Sequence, residues 1–190
     1  SGALTTLTLP TGVTLNSGAR PRFAVYGRYI VMVNSPSRPI TVDPEGTVRV
    51  LAPRTPRTKP TLTTGTGSLT GTYTVKQTFL ILDGDNNIIA ESGFGVPSLS
   101  GSVTAQALSV AGLDLSTDSV SATRLYRTTT GGTTYFPWID VDGNTATTID
   151  DDLSDASLSL VAAPSLGSHP DLVLVAELRE RLWGRGRVDI

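Results

Sequence analysis

An aspartate-rich segment contains the best candidates for metal ligands in the sequence. Asp140, Asp142 and Asn144 repeat the first, third and fifth positions of a calcium-binding loop, and a triplet of aspartates follows. However, Thr145 occupies the sixth position, where an EF-hand needs glycine, and Asp151 occupies the twelfth in place of a bidentate glutamate. Asp-Gly-Asn is equally a hairpin turn. The sequence therefore favours a turn and leaves calcium binding by Asp140, Asp142 and Asp151 open.

Groups that could carry out catalysis are scarce. Nucleophilic catalysis needs an activated Ser, Thr, Cys or Lys beside a base, but the chain has no cysteine, and its single histidine, His169, lies in a Ser-His-Pro turn. No G-x-S-x-G elbow is present. The Gly-Thr-Gly run at residues 65–67 precedes no helix that could bind phosphate. We therefore expect no enzyme, and we assign no catalytic residue, no cofactor-binding residue and no metal ligand.

The charge balance and the hydropathy pattern exclude several classes of partner. With 15 Lys and Arg against 17 Asp and Glu, the net charge is −2, so no global attraction to nucleic acid exists. The basic run at residues 52–60, APRTPRTKP, has no aromatic residue for base stacking and is interpreted as a linker. We expect no sequence-specific nucleic-acid binding. No apolar run approaches the roughly 18 residues of a membrane span. The charged end at residues 185–190 favours a fragment of a longer protein.

Residues 121–152 organise the predicted fold as a meander of three strands. A Gly-Gly turn at residues 131–132 joins the first two strands, and the Asp-Gly-Asn turn joins the second to the third. The strand period of two divides the first strand into two faces, with Arg124, Tyr126 and Thr128 on one face and Thr123, Leu125 and Arg127 on the other.

Short strands separated by turns are predicted along the rest of the chain. They include a strand within residues 1–20, followed by turns, and two strands around Gly27. Further strands are predicted at residues 40–42, 47–51, 71–82, 88–92 and 102–110, and residues 61–68 are a low-complexity Thr/Gly stretch. Residues 171–183 fit either a helix, with an apolar side chain every fourth residue, or two strands with a bend near Glu180. We favour two strands.

Several of these segments resemble the fibronectin-like modules of tailed-bacteriophage virion proteins. The resemblance rests on residues 71–73, 83–84 and 91–93, on Arg-Leu-Tyr-Arg-Thr at 124–128 with residues 131–132 and 135–136, and on the closing residues 148–151. The Arg-Leu-Trp-Gly run at residues 181–184 is similar to a strand motif that follows those modules, and residues 25–31 and 46–50 look like blade strands of the same class.

The resemblance implies an all-β fold, namely an immunoglobulin/fibronectin-like β-sandwich inserted between flanking β-meander strands of a propeller- or barrel-like platform. It places platform strands and the Pro-rich linker at residues 1–59, the sandwich at residues 60–163, and a second linker with returning platform strands at residues 164–190. It also implies a non-enzymatic structural protein of the virion, from the tail nozzle, hub or neck adaptor. Its expected partners are neighbouring virion proteins and copies of itself in a ring.

A carbohydrate- or receptor-binding module of a surface or secreted protein is the alternative. Tyr135, Phe136 and Trp138 would supply its aromatic surface, although the same side chains on neighbouring strands also pack across a sheet. We favour packing. A calcium-dependent adhesin or enzyme is a third possibility, and it depends on the aspartate-rich turn.

Overall fold

A computed structural model describes residues 6–34, 37–158, 161–164 and 166, together with the backbone of Leu172–Leu178 and Arg181–Gly186. The chain is almost entirely β, with 46% strand and 2% helix, which confirms the predicted all-β class. In the described residues the single helical element is a three-residue 3-10 turn, Asp155–Ser157. No described helix has the length and hydropathy needed to cross a membrane.

The chain forms two compact units. The first comprises Ser1–Ala52, Thr117–Ser119 and His169–Ile190, and the second comprises Pro53–Ser116 and Val120–Ser168. The predicted Pro-rich linker at residues 52–60 contains neither helix nor strand.

The first unit contains a four-stranded antiparallel sheet in sequence order, with β1 (Arg22–Tyr26), β2 (Tyr29–Val33), β3 (Ile40–Val42) and β4 (Val48–Val50). Gly27 has φ +55° in the turn between β1 and β2, a conformation that glycine adopts without a steric penalty. One face buries Val31 and Val33, which pack with Ala24 and Leu51.

A strand pair near the end of the chain belongs to the same unit. β12 (Leu172–Leu178) and β13 (Arg181–Gly186) pair antiparallel, which confirms the choice of two strands over a helix. β12 lies beside β1 and β2. Glu180, where a bend was predicted, lies outside the described residues.

The described residues of the second unit form seven strands in two sheets. They are β5 (Thr61–Tyr73), β6 (Val75–Leu82), β7 (Ile88–Glu91), β8 (Gly101–Ala111), β9 (Ala122–Thr128), β10 (Tyr135–Asp142) and β11 (Thr148–Asp151). One sheet has the order β10-β9-β6-β7 and the other the order β11-β8-β5. Their inner faces share a core to which Tyr73, Val75, Leu108, Val110 and Leu125 contribute. The unit is therefore a β-sandwich.

The predicted three-stranded meander is wrong at its third strand. β9 and β10 form the expected hairpin, with φ +64° at Gly131, but β11 pairs with β8 in the opposite sheet. This crossing packs Ile149 against the core and buries Asp151 against the side chain of Arg127 on β9. The contact of Ile149 with the core favours this position of β11, and Asp151 there compensates the buried charge of Arg127.

One further strand prediction is wrong in its bounds, and one stretch that was given no secondary structure is a strand. Residues 61–68 are part of a strand, because the β-branched threonines suit an extended backbone, and the strand predicted at 71–82 is divided between β5 and β6, which belong to different sheets. The division falls at Thr74. A strand followed by turns is predicted within residues 1–20. The described residues 6–20 contain turns and no strand, and residues 1–5 lie outside the described residues. Among the described strands no sheet closes into a barrel.

Candidate functional site

The predicted calcium ligands are not brought together. The Asp140 carboxylate accepts two hydrogen bonds from Arg124, at 2.6 Å from Nε and 2.7 Å from Nη2. Asp151 is buried in an ion pair, and Asp142 lies at the exposed end of β10. The Asn144 side chain accepts from the backbone N–H of Ser116 at 2.8 Å and donates to its carbonyl at 2.6 Å. In the described part of the chain no three His, Cys, Asp or Glu side chains form a group that could hold a metal ion.

The predicted aromatic surface is divided between the two faces of its sheet. Tyr135 lies on the outer face, where its hydroxyl accepts a hydrogen bond from Thr74 Oγ1 at 3.0 Å. Trp138 packs against the sandwich core, and Phe136 lies opposite Arg127, a residue of the inner face. The three side chains therefore form no single aromatic platform.

Neither the histidine nor the Gly-rich run named as candidates in the sequence forms a functional site in the described residues. His169 lies outside the described residues. The Gly-Thr-Gly run at residues 65–67 lies in β5, where Gly65 pairs with Ala107. A Cβ at Gly67 would approach Asp152 Oδ1 to 2.6 Å and the backbone nitrogen of Ala107 to 2.7 Å, so glycine is needed there for close packing.

The outer face of the sheet β10-β9-β6-β7 holds a group of polar, charged and aromatic side chains. The register pairs Lys76 with Tyr126 and Thr78 with Arg124 across β6 and β9. Because side chains directly opposite each other share a face, this register gathers Lys76, Thr78, Arg124 and Tyr126. Four further residues, Glu91, Phe94, Tyr135 and Asp140, contact these side chains, and we name the eight residues together the outer-face network.

Glu91 is the central acceptor of the outer-face network. Its Oε1 accepts from the Tyr126 hydroxyl at 2.6 Å and from Thr78 Oγ1 at 2.7 Å, and its Oε2 lies 3.7 Å from Arg124 Nη1. Burial raises the pKa of Tyr126 well above its ordinary value, and the hydrogen bond to Glu91 raises it further. The hydrogen bond to Asp140 raises the pKa of Arg124. Tyr126 therefore remains a donor and Arg124 a cation at neutral pH, which suits a structural network rather than proton transfer.

Lys76 lies between two aromatic rings of the same network. Its Nζ is 4.2 Å from the ring centroid of Tyr135 and 5.0 Å from that of Phe94. Phe94 in turn meets Tyr126 edge to face, with ring centroids 4.9 Å apart and an interplanar angle of 81°. Aromatic rings arranged in this way attract a cation. Here the ammonium group of the chain itself takes that place.

A second group of charges lies inside the sandwich. Arg127 Nε is 2.6 Å from Asp151 Oδ2, and both side chains are 0% exposed. This contact is ionic, since neither atom makes a hydrogen bond. Arg127 also donates to Asp155 Oδ1 at 2.8 Å and to the carbonyl of Leu153 at 2.7 Å, and it stacks over the ring of Tyr73 at 4.6 Å. Its charge is thus compensated on several sides.

The two carboxylates that contact Arg127 differ in their pKa. Burial raises the pKa of Asp151, and the N–H of Leu153 and the charge of Arg127 oppose this shift in part. Burial also acts to raise the pKa of Asp155, but the N–H of Thr130 and the Arg127 side chain outweigh it and lower that pKa. The ion cluster of Arg127, Asp151 and Asp155 links β9 to β11 and to the 3-10 turn, so it stabilises the sandwich.

Lys76, Glu91 and Phe94 could not be recognised as members of one network from the sequence. Alternation along residues 71–82 puts Lys76 on a face with several threonines, but Glu91 and Phe94 reach it from another strand and a loop. No motif joins these three residues, so only the fold brings them together.

Comparison with known proteins identifies no relative, so this chain is classified by its fold alone. The chain matches no protein-family model, no curated protein and no solved structure. The structure defines an all-β protein built from several antiparallel sheets, and seven of the described strands form a sandwich.

Proposed function

We propose that this chain is a non-enzymatic structural component of a tailed-phage particle, from the tail or neck. It assembles with copies of itself and with neighbouring virion proteins into a ring. The observation that carries this proposal is an apolar strip on the first unit. We use that name for Phe23, Val25 and Ile30, whose exposures are 60%, 60% and 44%.

The apolar strip follows from the register of β1 and β2. Phe23 lies opposite Met32, and Val25 lies opposite Ile30, so the three exposed side chains share one face of the sheet. Full burial of a large apolar side chain contributes roughly 1.5–3 kcal/mol. A contiguous exposed apolar surface of this kind is typical of a contact with another protein. The strip therefore suits a subunit of an assembly.

The fold of the second unit suits a structural role in which the unit acts as a rigid spacer. Its seven strands in two sheets agree with a module of the immunoglobulin or fibronectin type, and its charged side chains on the outer face are engaged with one another. Such a sandwich is a rigid spacer that docks on neighbouring subunits, while the flanking strands of the first unit complete a propeller- or barrel-like platform shared between copies. Edge strands then become assembly surfaces.

The carbohydrate- or receptor-binding alternative receives less support. It needs an exposed aromatic surface, but Trp138 packs inward while Tyr135 holds Lys76 on the outer face. Binding on a glycan array through these residues would favour that alternative over assembly.

Electron microscopy and mass photometry test the proposal. The purified chain is mixed with the proteins encoded by the neighbouring genes and then imaged. We expect rings, or incorporation of the chain into particles. Monomers alone, in every mixture, would overturn the proposal.

A further inference from the structure

The four-stranded sheet of the first unit has two edge strands, β1 and β4, because its strands follow one another in sequence order. Each strand runs antiparallel to the next, so β1 and β4 run in opposite directions. In the described part of the chain no strand pairs with the outer side of either of them. An edge strand presents a row of unpaired backbone N–H and C=O groups. Both edges are therefore templates for one more strand.

β12 does not occupy the β1 edge. Its Cα atoms come within 8 Å of those of both β1 and β2. A strand paired with the outer side of β1 would lie two strand spacings from β2, which is about 9.5 Å. β12 therefore lies across a face of these two strands. Since Phe23 and Val25 are still 60% exposed on one face, β12 lies on the other, where Val31 is buried.

The face that carries the apolar strip is apolar from one edge of the sheet to the other. The register forms two rows across the four strands: Val25, Ile30, Val42 and Val48 in one row, and Phe23, Met32, Ile40 and Val50 in the next. Ile40 and Val50 are only 3% exposed, in contrast to the side chains of β1. The cover that this face has at β3 and β4 is therefore missing at β1.

We propose that β1 of one copy pairs antiparallel with β4 of the next copy, so that the sheets of the first units join head to tail in a ring. The inference rests on the proposed function and deepens it, because it assigns the apolar strip to a contact between copies. A rotation about an axis parallel to the strands keeps each strand's direction, so β4 meets the next β1 antiparallel. A contact between two different surfaces of one chain forms a ring when the rotation closes.

The charges at the two edges favour the pairing of unlike edges. Three arginines lie in β1 or close to it, Arg20, Arg22 and Arg28, and residues 16–42 contain no acidic residue. Two β1 edges would thus bring the arginines of both copies together without a carboxylate. Two β4 edges paired across their central residue would place Arg49 opposite Arg49, and like charges directly opposite each other destabilise a sheet. In the proposed contact, Arg28 instead approaches the next copy's Glu45, whose side chain is 62% exposed although it binds Arg28 of its own copy.

The apolar face limits the register of the contact. A shift of one residue would turn the side chains of β1 to the opposite face. Val25 then lies opposite either Val48 or Val50 of the next copy, since these two residues share its face. Closing a sheet into a ring requires a stagger between strands, and the step of two residues from Val48 to Val50 supplies one. In both registers valine side chains of β4 extend the apolar rows onto the strip.

Disulfide cross-linking tests the contact directly, because the chain contains no cysteine. Val25→Cys protein is mixed with Val48→Cys protein or with Val50→Cys protein, and each mixture is oxidised with oxidised glutathione, both as the purified chain at high concentration and after assembly with the neighbouring virion proteins. We expect a disulfide-linked dimer of the two variants in at least one mixture. Each variant oxidised alone should stay monomeric on a non-reducing gel, because a head-to-tail contact never brings identical residues together.

Val42→Cys is the matched control, since Val42 lies in the same row as Val25 and Val48 but one strand inside the edge. Its mixture with Val25→Cys should give no linked dimer. A disulfide between two Val25→Cys chains would show a two-fold contact and overturn the inference, as would equal cross-linking in the control mixture. Circular dichroism first shows that every variant folds.

The outcomes separate this inference from the proposed function. Rings or particles that contain the chain but give no cross-link between β1 and β4 would overturn the inference and leave the proposed function. A specific cross-link in the purified chain, together with a wild type that never enters a particle, would do the reverse. Absence of both the cross-link and the particles would overturn both.

Discussion

Arg127 of β9 and Asp151 of β11 form a fully buried ion pair that joins the two sheets of the sandwich, with Nε 2.6 Å from Oδ2. A buried charge without its partner is costly because the protein interior solvates it poorly. Each residue therefore requires the other, and the pair fixes where β11 lies against β9. The same contact explains why β11 leaves the hairpin of β9 and β10.

Removing one partner of this pair should destabilise the sandwich strongly. We expect Asp151→Asn to lower the free energy of unfolding by about 3–5 kcal/mol, because Arg127 keeps its charge without full compensation. The double variant Arg127→Met/Asp151→Leu should lose much less than the sum of its single variants. Urea denaturation measures the free energy of unfolding of the wild type, the single variants and the double variant. Additive losses would show that the two side chains act independently.

Lowering the pH should remove the contribution that Asp155 makes to the free energy of unfolding. Its pKa is lowered in the folded state by the Thr130 N–H and by Arg127, which together outweigh burial. The stabilisation is therefore complete above the unfolded pKa of about 3.9 and is lost as pH falls through the lower folded pKa. We expect Asp155→Asn to be less stable than the wild type at neutral pH, and the difference to shrink at low pH. Urea midpoints across a pH series measure this difference, and a constant gap would contradict the shift.

Lys76 should stabilise the outer-face network through its two aromatic neighbours. We expect Lys76→Gln to lower the free energy of unfolding by about 1 kcal/mol, because the cation–π contacts with Phe94 and Tyr135 are lost. Lys59→Gln is the control, since Lys59 is exposed. The comparison is made at a protein concentration where both variants are monomeric. Equal midpoints for the two variants would show that the contacts contribute nothing.

Gly71 should tolerate no larger residue. It has φ +152°, and an added Cβ would lie 2.1 Å from Thr130 Oγ1. We expect Gly71→Ala to destabilise the chain by at least about 2 kcal/mol, from backbone strain and steric overlap together. Gly84→Ala, with nothing within 4 Å of its added Cβ, should change stability by less than about 0.5 kcal/mol. Thermal melts of the two variants test this contrast.

Turns and strand faces could be predicted from the sequence because their causes are local. Asp83 folds its own turn by accepting the N–H groups of Asp85 at 2.9 Å and Asn87 at 2.8 Å. The alternation that separates Arg124 and Tyr126 from Leu125 follows from strand geometry alone. The predicted division of the two faces is confirmed by the structure.

The sheet order and the site could not be predicted, because they depend on distant pairing. The register shift between Pro137 and Ile139 moves Asp140 opposite Arg124, and a regular hairpin register would place Ile139 there instead. β11 changes sheets to bury Asp151 with Arg127. Glu91 reaches Tyr126 from a strand 35 residues away in sequence. None of these contacts leaves a pattern in consecutive residues.

The apolar strip tests the central claim, that this chain is a subunit of a larger assembly. The measurement is electron microscopy of particles assembled with Phe23→Ser/Val25→Ser, compared with a control in which two exposed apolar side chains of the other unit, Val96 at 51% and Leu99 at 73%, are also changed to Ser. Circular dichroism first shows that both variants fold. The proposal predicts that the Phe23/Val25 variant is absent from rings and particles while the control is incorporated. Normal incorporation of both variants would contradict the proposal. Failure of the wild type itself to enter rings or particles would also contradict it.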